Sequence, residues 1–217
     1  MSLLDLDERC VEAAEHGVDR GALRVPFFRR AWVDRWLTTT HPAAPYVMFA
    51  PVCAWLVVRA LGAGLGAAEI GALAAGGWLA WTLVEYVMHR YGLHLPTRTR
   101  SWRVAFFLVH GHHHQAPDDS RRLVATPAQS ALLALLLAGI ARLCAGPIAS
   151  GPLLAGMLLG YQLYELAHWS AHHARTRVWP LGWLRRHHLS HHHVDATTRF
   201  GISTPLWDFL LRTVGRD

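Results

Sequence analysis

The sequence predicts an all-α integral membrane protein built on four helices in two hairpins, and three observations carry that prediction. Four apolar stretches run at about 45–65, 67–88, 127–145 and 153–167, paired across Gly62-Ala63-Gly64-Leu65-Gly66 and across Gly146-Pro147-Ile148-Ala149-Ser150-Gly151-Pro152. The chain is 52% hydrophobic and only 17% charged, whereas a soluble domain carries about a quarter charged residues. Ten of its 16 histidines fall into four spaced clusters beside those stretches: His89-x4-His94, His110-x2-His113-His114, His168-x3-His172 and His188-x2-His191-His192.

Taken in order, residues 1–44 read as a basic N-terminal segment and residues 45–217 as the membrane domain. Phe27, Phe28, Trp32 and Trp36 alternate with Arg29, Arg30 and Arg35. That pattern suits a helix lying in the membrane interface with aromatics down and arginines up, or else an irregular surface segment. Crossing a bilayer takes roughly 20 apolar residues. The first three stretches meet this; the fourth is short and crosses only by borrowing Tyr161, Tyr164 and the residues beyond. Several of the ten tryptophans (Trp32, Trp36, Trp102, Trp179, Trp183) flank the stretches, as indole prefers the interface. The start MSLLDLDERC is acidic and has no apolar core, so it is not expected to be a signal peptide. Cys10, Cys53 and Cys144 are widely spaced and read as small packing residues.

Charge sets the expected orientation. All 21 basic residues are arginine, which excludes lysine Schiff-base chemistry and a Walker lysine. Only Arg59 and Arg142 lie within the stretches; the rest lie in residues 1–44, 89–126 and 168–217. Two hairpins put those three segments on one side, and excess positive charge marks that side as cytosolic. The histidine clusters lie in the same segments. The formal charge of +6 is better explained by anionic lipid headgroups than by nucleic acid, for which no motif is present.

The clusters have metal-ligand spacing. Residues three and four apart share a helical face, which groups His110, His113 and His114, groups His188, His191 and His192, and pairs His168 with His172. His89 and His94 are five apart, so the helix is expected to end or loosen near Tyr91-Gly92, before Pro96. Ten imidazoles exceed what one metal holds; two metals with four or five nitrogens each would use them all. Such sites suit iron, copper or zinc rather than magnesium or calcium. Iron with an open position suits dioxygen chemistry, whereas zinc binds without supplying it. His16 and His41 read as structural or solvated, and His112, His173, His187 and His193 as lying behind or outside the ligand set. Glu85, Asp119, Glu165 and Asp208 are the carboxylates placed to orient ligand imidazoles. Asp118 and Asp195 lie near the clusters as well. Arg90, Arg121, Arg122 and Arg185 are placed to meet a lipid headgroup.

Together Glu85-Tyr86-x2-His89-Arg90-x3-His94, His110-Gly111-His112-His113-His114-x2-Pro117-x-Asp119-x2-Arg122-Leu123-Val124, Tyr164-Glu165-x2-His168-x3-His172-His173, His188-x2-His191-His192 and Phe200-Gly201-Ile202-Ser203-Thr204 leading to Trp207-Asp208 resemble the fatty acid hydroxylase superfamily, and within it the fatty acid 2-hydroxylase branch. The resemblance covers roughly residues 80–210. It implies a four-helix membrane domain capped by a cytosolic helical layer, two metals between them on the ten clustered histidines, and oxygen-dependent hydroxylation at the carbon next to the carboxyl carbon of an acyl chain. His187 stands where such proteins often have tyrosine, and Glu165 where aspartate is usual. The resemblance also implies an electron source, expected to be a separate donor protein because residues 1–44 are too few for a haem domain. Hydroxylation of a polar-lipid headgroup, a sterol or a carotenoid is the alternative within the superfamily. A non-catalytic membrane metal-binding protein is the alternative outside it.

Overall fold

A computed structural model describes residues 5–16, 25–94 and 99–215; among the described residues the regular structure is helical, joined by turns and irregular segments, with one isolated bridge between Leu6 and Phe28. Two short helices, α1 (Glu8–His16) and α2 (Ala31–Thr38), precede the apolar helices α3 (Ala44–Gly62) and α4 (Ala67–Val87). After α4 come a π-helical turn (Met88–Leu93), α5 (Arg100–Phe106), a second π turn (Phe107–Gly111) and α6 (His112–Gln115). The chain ends with the long α7 (Pro127–His173), α8 (Leu181–His193) and α9 (Leu206–Leu210). Three of these helices are long and apolar enough to cross a membrane.

The third of them is a hairpin. Within α7, Gly146 has φ 71° and ψ −171°, a conformation essentially confined to glycine. Ser130 and Tyr161 are 31 positions apart, which a straight helix would separate by roughly 46 Å; their hydroxyls are 2.7 Å apart. The chain therefore reverses at Gly146, with arms at 127–145 and 147–173. Thr126 starts the first arm with a capping box to Gln129, and Pro127 follows in the first turn. The turn is tighter than expected from Gly146–Pro152, because Pro147 already sits in helix. The fourth helix is correspondingly longer than the apolar run beginning at Leu153.

The helices pack by close backbone approach. A Cβ on Gly156 would overlap the carbonyl of Ala74, so only glycine lets α4 and the second arm of α7 meet there. Tyr46 of α3 donates to the carbonyl of Gln162 at 2.9 Å. Phe49, Trp81, Leu137, Met157, Leu158 and Tyr161 fill the interior. Outward faces are apolar too: Leu132, Leu135 and Leu143 are 71%, 71% and 88% exposed. Such faces fit a hydrocarbon surrounding, where helices satisfy their own backbone groups.

The N-terminal residues pack against the rest. α2 begins at Ala31, so Phe27 and Phe28 are not on it; both are buried with Cys10, Ala13, Val25 and Phe107. Trp32 and Trp36 are exposed on α2. Contacts cross the boundary expected at residue 44. Asp34 pairs with Arg122 at 2.7 Å, and Thr40 N–H donates to the carbonyl of Arg121 at 2.9 Å.

Candidate metal centre

The ten clustered histidines converge into two groups of five. His89, His94, His110, His114 and His191 form one; His113, His168, His172, His188 and His192 form the other. Within each group the facing nitrogens lie within 4.8 Å of one another, about twice a metal–nitrogen bond of roughly 2.0–2.1 Å. The groups are neighbours: the rings of His114 and His192 stack at 4.1 Å.

Local backbone geometry explains the convergence. A π turn closes bonds five residues apart, and one runs through Met88–Leu93. It brings His89 and His94 together, Nε2 to Nε2 at 3.2 Å. The loosening expected near Tyr91 is thus a change of helix type; Pro96 lies outside the described residues. His110 and His114 are one α-like turn apart and meet at 2.9 Å. His113, on the same segment, points instead to His168 at 2.9 Å. α8 divides in the same way: His188 meets His172 at 2.8 Å, whereas His191 meets His94 at 3.1 Å. Each H-x2-H-H motif therefore serves both groups, which the shared-face argument does not anticipate.

The imidazoles are in the form a metal binds. Burial first, and neighbouring imidazoles second, push His110, His113 and His188 well below the usual histidine value. The same causes bring His94 down to about 4 and His114 to about 2. His89 and His191 each place Nδ1 2.6 Å from a main-chain carbonyl, that of Phe200 and that of Thr198. A carbonyl only accepts, so Nδ1 carries the proton and Nε2 turns its lone pair inward. Both ring nitrogens of His192 are buried without a hydrogen-bond partner among the described residues. A cation in each group would satisfy the converging lone pairs, so the donor set fits a metal.

The carboxylates sit one step further out than the sequence suggests. Asp208 accepts from the amides of Phe200 and Gly201 (2.8 Å each), from Thr213 (2.8 Å) and from His187 (3.1 Å). Glu85 accepts from the amides of Ile202 (2.6 Å) and Ser203 (2.8 Å) and from the Ser203 hydroxyl. They fix residues 198–203, whose carbonyls orient His191 and His89. Burial would raise the Asp208 carboxyl, but its hydrogen bonds outweigh that and hold it below the ordinary 3.8. Asp119 accepts from His112 at 3.2 Å and from Arg122 at 3.0 Å. Glu165 accepts from the amide of Ala125 at 3.3 Å. For His89 and His191 it is main-chain carbonyls, which a sequence does not display, that meet the outer ring nitrogen.

The four arginines differ. Arg90 donates to the Tyr86 hydroxyl at 2.8 Å and lies over the rings of Tyr91 and Phe200. Arg121 is exposed, and Arg185 is partly buried with Nε unpartnered among the described residues. Arg122 is not free for a headgroup: its nitrogens donate to Asp34, Asp119 and Thr38. Asp34, the partner missed at the sequence level, is the lone acid in the aromatic and basic stretch 25–38.

A cavity of about 380 Å³ reaches both groups: His89 and His110 of the first and His113 and His168 of the second line it. Its other walls are mainly apolar, from Trp81, Met88, Leu108, Leu123 and Leu133 among others.

Comparison with known proteins agrees with this geometry. A family model described as fatty acid hydroxylase matches residues 74–213. A dihydroceramide fatty acyl 2-hydroxylase of Arabidopsis thaliana is 34% identical over 183 residues, 83% of this chain and 77% of that protein. The fatty acid 2-hydroxylase of Homo sapiens is 35% identical over 144 residues, 64% of this chain but only 38% of that protein. A solved structure described as full-length scs7p, with only the hydroxylase domain visible, matches with a TM-score of 0.78 at 28% identity, over 86% of this chain and 70% of that one.

Proposed function

Because the chain belongs to the fatty acid hydroxylase family, we propose that it hydroxylates the acyl chain of a fatty acid or membrane lipid at the 2-position, using dioxygen and two metal ions held by the ten clustered histidines. The observation that carries this reading is the cavity, which is apolar along most of its wall and lined by histidines of both groups. An acyl chain is the substrate such a wall favours, at about 25 cal/mol per Å² of apolar surface removed from water.

His89, His94, His110, His114 and His191 would hold one ion, and His113, His168, His172, His188 and His192 the other. Iron there would supply the redox chemistry that activates dioxygen, whereas zinc in the same places would preserve the geometry without turnover. The reaction inserts one oxygen atom into a C–H bond and reduces the second to water, so two electrons and two protons enter per turnover. A separate donor protein supplies the electrons. Arg90, Arg121 and Arg185 stand on the cytosolic side with the site and meet the polar head, while the first carbons of the chain lie against the histidines. Holding that carbon in place determines where oxygen goes. Glu85 and Asp208 act through residues 198–203, keeping Nε2 of His89 and His191 aimed at the ion.

The test is an iron-loaded preparation in detergent, given a reductant, an acyl lipid and isotopically labelled dioxygen. Mass spectrometry of the product should find labelled oxygen at the 2-position. Unlabelled product, or full turnover with zinc alone, overturns the reading.

A further inference from the structure

Part of the cavity wall comes from outside the region that the family model matches. Phe27, Phe28, Leu37 and Thr38 line the cavity, and the match begins only at residue 74. These four residues belong to the stretch between the end of α1 and the start of α3.

That stretch is bolted to the helical layer carrying the histidines. Asp34 accepts from the amide of Phe27 at 2.6 Å and from Arg122 at 2.7 Å, and Arg122 continues to Asp119 at 3.0 Å. The Arg122 guanidinium lies 4.8 Å over the Phe27 ring. Phe27 packs edge-on against His112 at 5.1 Å, next to the ligand candidate His113. Phe27 is thus locked from several sides. Phe28, whose amide also donates to Asp34 at 3.3 Å, and Leu37 are the other apolar side chains of this stretch that line the cavity.

The cavity has an inner end and a mouth. Trp81, Tyr161, Glu165 and His168 line it and are nearly inaccessible; Leu37, Met88 and Val109 line it while being 50%, 39% and 60% exposed. Gln129 is also exposed there, so three of the four exposed lining residues are apolar, and the Leu37, Met88 and Val109 side of the mouth suits a hydrocarbon chain arriving from the bilayer. Phe28, 8% exposed, stands inside the mouth.

Resting on the acyl-hydroxylase reading, we propose that Leu37 and Phe28 are specificity-determining residues: Leu37 is the mouth through which the chain enters, and Phe28 is the wall that sets which chains fit. The N-terminal stretch is then part of the substrate site, with the Asp34–Arg122 pair holding it there.

The experiment uses the full chain, metal-loaded, in lipid nanodiscs, with Leu37→Trp, Phe28→Ala and the milder Phe28→Leu. Photolysis of a diazirine-bearing fatty acid should place adducts on peptides containing residues 28–37, with a lower yield in Leu37→Trp. In competition between a medium-chain and a very-long-chain acyl lipid, Phe28→Ala should change the product ratio by about tenfold or more, the scale on which a hydrophobic pocket distinguishes methylenes. Leu37→Trp should raise KM with kcat kept. Adducts elsewhere, together with an unchanged product ratio in the Phe28 variants, overturn the proposal. Adducts at 28–37 that fall in Leu37→Trp, with no hydroxylated product from any form, uphold the entry route and overturn the hydroxylase reading instead. If Phe28→Ala loses its metal, Phe28→Leu and Leu37→Trp decide the question.

Discussion

Replacing Asp208 by asparagine tests whether a carboxylate that touches no clustered histidine still governs one group of them. Asp208 is fully buried and accepts four hydrogen bonds, two on each oxygen: Phe200 N–H and Thr213 on one, Gly201 N–H and His187 on the other. Asparagine has the same shape, but one oxygen becomes an NH2 that faces donors. Whichever way the amide turns, one main-chain N–H of the loop loses its acceptor and a full charge is lost with it, while Thr213 or His187 can reverse its bond and accept from the new NH2. Hydrogen bonds to a charged group contribute roughly 1.5–3 kcal/mol each, so the hold on residues 198–203, which lose one of their two amide bonds to this side chain, weakens by about 1.5–3 kcal/mol. The carbonyls of Thr198 and Phe200 then no longer pin the tautomers of His191 and His89. Removing such an outer partner typically lowers metal affinity about 10–100-fold. The loop's loss is of the same size as that effect, about 1.4–2.7 kcal/mol, so the expected result is a fall within this range at the His89 group and much less at the His113 group. Metal per chain, measured after dialysis against a graded chelator, should fall from two to one. His113→Ala, which removes a ligand from the other group, should combine with Asp208→Asn to leave none. Two ions retained at the wild-type chelator midpoint, or loss confined to the His113 group, would refute the reasoning.

Three other outcomes are expected. His113→Ala should lose metal and activity together, whereas His112→Ala, whose ring meets Asp119 rather than either group, should keep its metals and lose only stability; metal analysis of both variants decides. Single cysteines in place of Ser150 and Asp195, in a chain without its three native cysteines, should react with an impermeant thiol reagent from opposite sides of sealed vesicles; reaction from one side would overturn the double hairpin. Gly146→Ala meets no neighbouring atom but must hold φ near 71°, so it should destabilise the chain by about 1–3 kcal/mol, seen as a lower denaturation midpoint in detergent.

Much of the architecture was legible because its signals are local. The break at Gly146 and the apolar runs around it follow from single residues and short windows. Histidine spacing also reports helical register, and the interval from His89 to His94 pointed to non-α geometry at the right place. What was not legible depends on packing. His113 and His114 are adjacent, yet which group each joins is decided by where His168 and His191 stand across the site. The bolt between Asp34 and Arg122 links residues 88 positions apart, and the carbonyls of Thr198 and Phe200 carry no side-chain signature. Phe27 and Phe28 read as membrane-facing because alternation with arginine gives their period but not their neighbours.

The candidate ligand set is made only of histidine rings. Two divalent cations placed there would keep their whole charge in a buried, low-dielectric space, because Asp119 and Asp208 hold their negative charge behind the histidines rather than on the ions. Such a centre is electrically hungry. It draws anions to any open coordination position, and the attraction is stronger than in water because little solvent screens it. Azide, cyanide and fluoride should therefore compete at this centre far better than neutral ligands of similar size, and a hydroxide or a substrate carboxylate would gain from the same field.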